Sequence, residues 1–170
     1  MDDVFSDLFE GNERYASVEH DVAPTGVARR GLAIVTCIDS RIDPLAVFGL
    51  EPGDAKILRN AGARVTPDVL RTLALAVAAL GVTRIAVVQH TDCKMANASP
   101  AELAEELEQA TGTRHPEFDP LAIHDQAEVL AADVATVLDS PLVAEGTVVA
   151  GLLYDLRSGR LHTVIEPRDR

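Results

Sequence analysis

The chain has 170 residues, of which 47% are hydrophobic and 25% are charged, the proportions of a globular protein with one substantial core. Its formal net charge of −12 argues against nucleic acid or an anionic membrane surface as a partner. The longest apolar run, 73–80, is too short to span a bilayer, and the acidic start differs from the basic start of a secretory signal. We therefore expect one domain, residues 1–170, located in the cytoplasm.

The first predicted element is a helix over residues 2–16, where the apolar side chains of Val4, Phe5, Leu8 and Phe9 recur at helical spacing. A short helix with such a stripe packs either on the core of its own chain or on a second subunit. The sequence leaves both arrangements open.

Five segments further along the chain have the composition of strands, at 32–36, 56–59, 84–89, 147–153 and 161–165. The first and third are continuous apolar runs, the pattern of strands that are buried on both faces. The turn Arg157-Ser158-Gly159 predicts that the last two strands form an antiparallel hairpin.

Helix start signals separate these strands, at 43–44, 66–68, 99–102 and 119–120. The helix that opens at 119–120 is predicted to run to Leu138. Strands that alternate with helices predict an α/β fold. We expect a central, mostly parallel sheet of about four parallel strands plus one antiparallel strand, flanked by helices.

The two cysteines of the chain lie in polar clusters that directly follow the two apolar strands, Cys37 after one and the pair His90 and Cys93 after the other. Functional sites in such sheets lie beyond the carboxyl ends of the strands, so the clusters are expected to meet. Two thiolates and one imidazole are ligands of a catalytic zinc site with one open position. We predict that Cys37, His90 and Cys93 bind Zn²⁺.

A disulfide between Cys37 and Cys93 is the competing interpretation, but it leaves the neighbouring His90, Asp39 and Arg41 without a role. In an extended segment Cys37, Asp39 and Arg41 point to one side, so Asp39 is expected near the metal and Arg41 near Asp39. The loop Asn60-Ala61-Gly62 is predicted to form a wall of the pocket. Thiols committed to a metal fit the reducing cytoplasm.

These clusters, Cys37-Ile38-Asp39-Ser40-Arg41 and His90-Thr91-Asp92-Cys93, resemble the zinc signature of the β-class carbonic anhydrases, in particular of their compact prokaryotic branch. The resemblance continues through 51–55, 59–62 and 151–155. It implies that Cys37, His90 and Cys93 bind zinc and that Asp39 and Arg41 form the catalytic dyad. It also implies a homodimer or a multiple of dimers, with helix 2–16 as the dimerisation arm.

One position departs from that family. The plant-type branch carries a glutamine nine residues before the first zinc cysteine, which contacts substrate or bicarbonate. This chain has Ala28 there, so that contact is not expected.

The expected reaction is the reversible hydration of carbon dioxide to bicarbonate and a proton, by attack of zinc-bound hydroxide. Zinc with two thiolates and a neutral imidazole has no formal charge, so hydrogen bonding must help to stabilise hydroxide. Asp39 would accept the hydroxide proton, and Arg41 would keep Asp39 ionised and turned away from the metal. If that pair breaks, Asp39 can become the fourth ligand of a closed state, which should prevail at lower pH.

Two alternatives stay open at this stage. The same scaffold could hydrolyse carbon disulfide or carbonyl sulfide, a choice that depends on access to the pocket. The chain could also be a non-catalytic zinc-binding protein, although a purely structural site would have no use for Asp39 and Arg41.

Overall fold

The computed structural model describes residues 4–18 and 25–170. The helices are α1 (Ser6–Ala16), α2 (Pro44–Phe48), α3 (Pro67–Ala79), α4 (Lys94–Asn97), α5 (Pro100–Thr111) and α6 (Gln126–Leu138). The strands are β1 (Leu32–Cys37), β2 (Ala55–Asn60), β3 (Arg84–His90), β4 (Val148–Asp155) and β5 (Arg160–Asp169). Of the helix predicted over 2–16, residues 2 and 3 lie outside the described ranges, and the helical conformation starts at Ser6.

All five strands belong to one sheet in the order β2-β1-β3-β4-β5. The first four are parallel to one another, and β5 pairs with β4 in the antiparallel sense. The predicted α/β fold, with four parallel strands and one antiparallel strand, is confirmed. Because β1 and β3 are parallel neighbours, their last residues, Cys37 and His90, come to the same edge of the sheet.

One face of the sheet is closed by α3 and α6. Ala33 and Val35 of β1 point to this side and pack in a core that contains Leu73 of α3 and Leu130 of α6. All four side chains are essentially inaccessible to solvent. Residues two apart on a strand share a face, so this closed face accounts for half of the apolar run in β1.

The other face is covered less completely. Ile34 points to this side, where it meets the short helix α2 in a smaller cluster. A groove of about 480 Å³ remains, lined by apolar side chains that include Leu32, Phe48 and Leu152. The expectation that helices flank the sheet is met, but the two faces are covered to different degrees.

Local sequence signals set most helix starts. The Thr66 side chain accepts a hydrogen bond from the backbone N–H of Val69 at the start of α3. Ser99 and Glu102 form the predicted capping box of α5, with both reciprocal bonds present. Such caps satisfy backbone donors that a helix leaves free in its first turn.

The predicted helix start at 119–120 is wrong. Asp119 accepts a hydrogen bond from the backbone N–H of Leu121, and Leu121 has a left-handed φ of 53°, which ends any helical path. The helix α6 begins later, at Gln126, with Asp125 as its cap. Asp-Pro starts turns as well as helices, and here the local turn prevails.

The last strand was predicted too short. It extends to Asp169, beyond Pro167, because β5 is an edge strand and its ladder with β4 has an irregularity between Ile165 and Arg168, the kind of place where proline is tolerated. The short helix α4 was not predicted at all, since four residues are too few to show a helical period.

Candidate metal centre

Three potential metal ligands converge where β1 and β3 end. Cys37 is the last residue of β1, His90 is the last residue of β3, and Cys93 caps α4 after a tight turn. All three side chains are buried, and their ligand atoms lie within 4.8 Å of one another. The sequence placed these residues at one edge of the sheet, and the structure brings them together there.

The two cysteines do not form a disulfide. Their sulfur atoms are 4.0 Å apart, about twice the length of an S–S bond, and both residues are free. The disulfide interpretation of the Cys37–Cys93 pair is therefore wrong for this structure.

The environment of His90 fits a metal ligand. Its Nδ1 lies 2.8 Å from the carbonyl oxygen of Thr91. This oxygen accepts a hydrogen bond from Nδ1–H, so that the free lone pair of the ring is on Nε2. The Nε2 atom is buried and has no hydrogen-bond partner among residues 4–18 and 25–170. A buried polar atom without a partner is costly, and a metal ion at this point would satisfy it. Two sulfur donors and one imidazole nitrogen suit zinc.

The two thiols differ in acidity because they interact with each other. The pKa of Cys37 is lowered, chiefly by the hydrogen bond with Cys93, and further by His90 and by backbone N–H groups. The same Cys37–Cys93 contact, together with burial, raises the pKa of Cys93. Burial lowers the pKa of His90, but the neighbouring Cys37 sulfur and its charge outweigh burial and raise the pKa overall. Cys37 is therefore the more acidic of the two thiols.

Asp39 and Arg41 form a two-point ion pair beside the three ligands. Arg41 Nε donates to Asp39 Oδ1 at 2.9 Å, and Arg41 Nη2 donates to Oδ2 at 2.7 Å. These bonds lower the pKa of Asp39 well below its usual range. The Oδ2 atom of Asp39 is 3.8 Å from His90 Nε2, so this ionised carboxylate borders the ligand cluster.

A second carboxylate contacts the same guanidinium from the other side. Arg41 Nη1 donates to Asp92 Oδ2 at 2.8 Å, and Nη2 also donates to the backbone oxygen of Asp92 at 2.9 Å. The interaction with Arg41 lowers the pKa of Asp92. Arg41 therefore links the segment after β1 to the turn between His90 and Cys93.

Arg59 stabilises the backbone that carries Cys37 and Asp39. Its Nε donates to the carbonyl oxygen of Cys37, and its Nη2 donates to that of Asp39, both at 2.8 Å. Sequence analysis gave Arg59 no role of its own, although it stands in the segment 59–62 on which the resemblance partly rests. Its side-chain partners are main-chain atoms, for which the sequence carries no signal.

The loop Asn60-Ala61-Gly62 lies against the ligand cluster. The backbone N–H of Gly62 donates to the sulfur of Cys37 at 3.4 Å. Gly62 has a left-handed φ of 79°, and a Cβ there would come within 3.3 Å of Met95 Cβ. Asn60 exchanges two side-chain hydrogen bonds with the backbone of Arg64, which fixes the curvature of the loop.

An ion pair between Arg64 and Asp133 also holds this loop in place. Arg64 Nε donates to Asp133 Oδ2 at 2.7 Å, and the backbone N–H of Val65 donates to the other oxygen of the same carboxylate. Asp133 lies on α6 and is buried. A buried charge is retained where it is paired, so this contact holds the loop against the core. The sequence carries no signal for this ion pair, because its partners are 69 residues apart.

Within the described parts of the chain, none of the helices combines the length and the hydrophobicity that a bilayer crossing requires.

Comparison with known proteins gives a consistent result. A family model described as carbonic anhydrase matches residues 32–116, which include all three ligands and both members of the ion pair. Beta-carbonic anhydrase 1 of Mycobacterium tuberculosis is 32% identical over 161 residues, covering 95% of this chain and 98% of the relative. Carbon disulfide hydrolase of an Acidianus species is 27% identical over 155 residues, covering 78% and 76% of the two chains.

Among solved structures, the carbonic anhydrase of Streptococcus mutans superposes with a TM-score of 0.88 at 35% sequence identity. The match covers 96% of this chain and 99% of that one. The similarity therefore includes the sheet, the flanking helices and the edge where the candidate ligands meet.

Proposed function

This chain belongs to the β-carbonic anhydrase family of enzymes, and we propose that it hydrates carbon dioxide reversibly to bicarbonate and a proton with a zinc ion held by Cys37, His90 and Cys93. The observation that supports this most directly is the proximity of two features. Three soft or borderline ligand atoms lie within 4.8 Å of one another, and an ionised Asp39 borders them. A purely structural zinc site has four protein ligands and needs no neighbouring charged dyad.

When bound, zinc would supply Lewis-acid chemistry, lowering the pKa of a water molecule so that it becomes a nucleophile near neutral pH. The protein would contribute orientation. The Asp39 carboxylate, kept ionised by Arg41, accepts a hydrogen bond from the nucleophile and so directs a lone pair of its oxygen towards the carbon of the substrate. Attack on carbon dioxide would then give bicarbonate, and one proton would be released to solvent.

Arg41 and the loop around Gly62 would set the conditions for that step. Both oxygens of Asp39 accept hydrogen bonds from Arg41, so that Asp39 would act on the nucleophile rather than as a fourth ligand in this arrangement. The N–H of Gly62 stabilises negative charge on the Cys37 sulfur, as a ligand thiolate requires. A closed state, in which Asp39 leaves Arg41 and becomes the fourth ligand, remains part of this proposal.

The decisive experiment is stopped-flow hydration of carbon dioxide across pH, with zinc measured on the same sample. We expect close to one zinc per chain and activity that rises steeply in the mildly alkaline range. A sample with one zinc per chain but no hydration at any pH would contradict the proposed reaction.

Hydrolysis of carbon disulfide or carbonyl sulfide is the second candidate function. The observation in its favour is the 27% identity to a carbon disulfide hydrolase over 78% of this chain. Both reactions begin with attack of an oxygen nucleophile on the carbon of a linear triatomic molecule, so the same side chains would serve. Release of hydrogen sulfide from carbon disulfide, measured on the zinc-containing sample, separates the two functions.

We also propose that the chain works as a homodimer and that α1 packs on the partner. No residue of α1 is buried, and Leu8 and Phe9 expose more than 60% of their surface. Replacement of Leu8 by Asp should lower the molar mass measured by light scattering to that of one chain. The matched control is Leu142→Asp, because Leu142 is as exposed but lies outside α1. Equal behaviour of both variants would contradict this role of α1.

We also propose that the chain forms a single domain and is located in the cytoplasm. All five strands share one sheet, which favours one cooperative unit, and limited proteolysis should release no stable half. Both cysteines are free, the state that a reducing compartment maintains.

A further inference from the structure

We propose that Asp92 is a positioning residue whose carboxylate holds the guanidinium of Arg41 in the orientation that presents it to Asp39. This inference rests on the proposed function, in which Asp39 and Arg41 act as the catalytic dyad. Asp92 would support this pair from the turn between His90 and Cys93, two of the proposed metal ligands.

Arg41 is held along two edges of its planar guanidinium. One edge, Nε and Nη2, donates to the two carboxylate oxygens of Asp39 at 2.9 and 2.7 Å. The opposite donor, Nη1, reaches Asp92 Oδ2 at 2.8 Å, and Nη2 also reaches the Asp92 backbone oxygen at 2.9 Å. Rotation of the guanidinium would break bonds on both sides at once, because the five N–H donors lie in one rigid plane.

Asp92 is itself fixed in place. Asn97 on α4 donates from Nδ2 to Asp92 Oδ1 at 3.2 Å, which leaves Oδ2 for Arg41. The backbone of Asp92 is in the left-handed region, with a φ of 56°. Aspartate, asparagine and glycine tolerate this region best, so the backbone alone would accept any of the three. Only aspartate also brings a negative charge to Arg41.

A role for Asp92 as a simple helix cap does not account for these contacts. The first turn of α4 has no side-chain cap, and the Asp92 oxygens receive their bonds from Arg41 and Asn97. The neighbouring Thr91 is engaged elsewhere, since its hydroxyl accepts a hydrogen bond from the backbone of Leu156. The carboxylate of Asp92 therefore serves a contact across the site, 51 residues from its partner.

The physical need for such a second partner follows from exposure. The Arg41 side chain is 51% exposed, and a single exposed ion pair holds a long side chain only weakly. With Asp39 alone, Arg41 would sample other rotamers, and Asp39 would lose its orienting partner for part of the time. A carboxylate from a different segment restricts Arg41 without touching the substrate.

The test uses the zinc-containing chain and two variants that preserve the backbone of position 92, Asp92→Asn and Asp92→Gly. The first readout is independent of activity: the rate at which the Nε–H proton of Arg41, assigned with Arg41→Lys, exchanges with water in NMR spectra. We expect exchange about three-fold faster in both variants, the size expected for loss of one exposed ion pair. The matched control is Asp68→Asn, which removes the partner of Arg71 on the surface of α3. That control should accelerate exchange at Arg71 and leave Arg41 unchanged.

The second readout is kcat/KM for hydration, expected to fall about three-fold in both variants with zinc content unchanged. In an Arg41→Lys background, Asp92→Asn should cost nothing further, because it acts through Arg41. Wild-type exchange at Arg41 in either variant would overturn the inference, and so would a full additional loss in the Arg41→Lys background. An inactive wild-type chain would instead count against the proposed function, and the exchange rates would still decide the position of Arg41.

Discussion

The ligand cluster (Cys37, His90 and Cys93) and the charged cluster beside it (Asp39, Arg41 and Asp92) share one edge of the sheet but differ in their surroundings. The ligand side chains are almost completely buried, at 4% exposure or less. In the charged cluster, by contrast, the Arg41 and Asp92 side chains are 51% and 64% exposed. Burial fixes the first cluster, whereas the second depends on several hydrogen bonds between charged groups in contact with water.

This difference in burial suggests that the two clusters have different roles. Strand ends and core packing hold the ligands at a spacing that suits a metal ion, with little freedom to move. The charged groups are positioned by individually weak contacts, which suits their proposed role of orienting a nucleophile and would allow them to rearrange. Substitutions in the ligand cluster should therefore remove the metal, while those in the charged cluster should slow the reaction and leave the metal bound.

The largest effect is expected for Cys93→Ser. Loss of one thiolate should weaken zinc binding by at least about 100-fold and abolish activity, because two remaining ligands hold the ion poorly. Zinc content after dialysis and competition with a chromophoric chelator measure this. Val134→Ala, in the core on α6, is the control for lost packing alone and should retain zinc. A Cys93→Ser protein that keeps one zinc per chain would remove the contrast between the clusters.

Arg41→Ala should have the next largest effect. Without the Arg41 guanidinium, the Asp39 carboxylate loses both side-chain bonds and keeps only the bond from the backbone N–H of residue 41, so kcat/KM should fall about 100-fold while zinc remains at one per chain. Stopped-flow kinetics and metal analysis on the same sample check both parts. Arg71→Ala, which removes an exposed arginine on α3, should behave as wild type. Full activity of Arg41→Ala would contradict the role proposed for the charged cluster.

Gly62→Ala probes the loop beside the ligand cluster and should have a moderate effect. The left-handed φ and the approach to Met95 should cost about 1–2 kcal/mol of unfolding free energy, measured by denaturant titration. Displacement of the Gly62 N–H should also weaken zinc binding, since the Cys37 sulfur loses a donor. Gly112→Ala tests the same backbone strain in open space and should lower stability without changing zinc affinity.

The smallest effect concerns protons in the metal-free chain. Because the pKa of Cys37 is lowered and that of Cys93 is raised, we expect one thiolate rather than none or two near neutral pH. The lowered pKa of Cys37 stabilises the folded state at pH values above the unfolded thiol pKa, and this contribution is lost as the pH falls through the folded value. Ultraviolet thiolate absorbance during a pH titration should show one early step, absent in Cys37→Ser. Two steps near the ordinary thiol pKa would refute the coupling.

Much of the architecture could be predicted from the sequence. The apolar runs of β1 and β3 indicated buried parallel strands, and the polar residues after them had to meet at one edge because parallel strands end on the same side. Local caps such as Ser99 with Glu102 also acted as predicted. These signals are short-range or periodic, so they survive without knowledge of the tertiary structure.

Other features were missed or mistaken for identifiable reasons. The Asp119-Pro120 sequence is compatible with a turn and with a helix start, and the hydrogen bond from Leu121 to Asp119 stabilises the turn. The predicted end of β5 was too early, because a proline such as Pro167 ends most strands but is tolerated in the edge strand of a sheet. The first outcome rests on a contact between residues only two apart, and the second on the position of β5 at the edge of the sheet, which the local pattern does not encode.

The sequence by itself determined which residue types are available at the candidate metal centre and at which strand ends they stand, because alternation and strand direction follow from local composition. Only the tertiary structure decided the partners. Arg41 meets Asp92 across 51 residues, and Arg59 reaches the main chain of Cys37 and Asp39 from a neighbouring strand. The physical reason is that a hydrogen bond forms only if its donor and acceptor are placed to within a few tenths of an ångström. The packing of the whole sheet sets their positions.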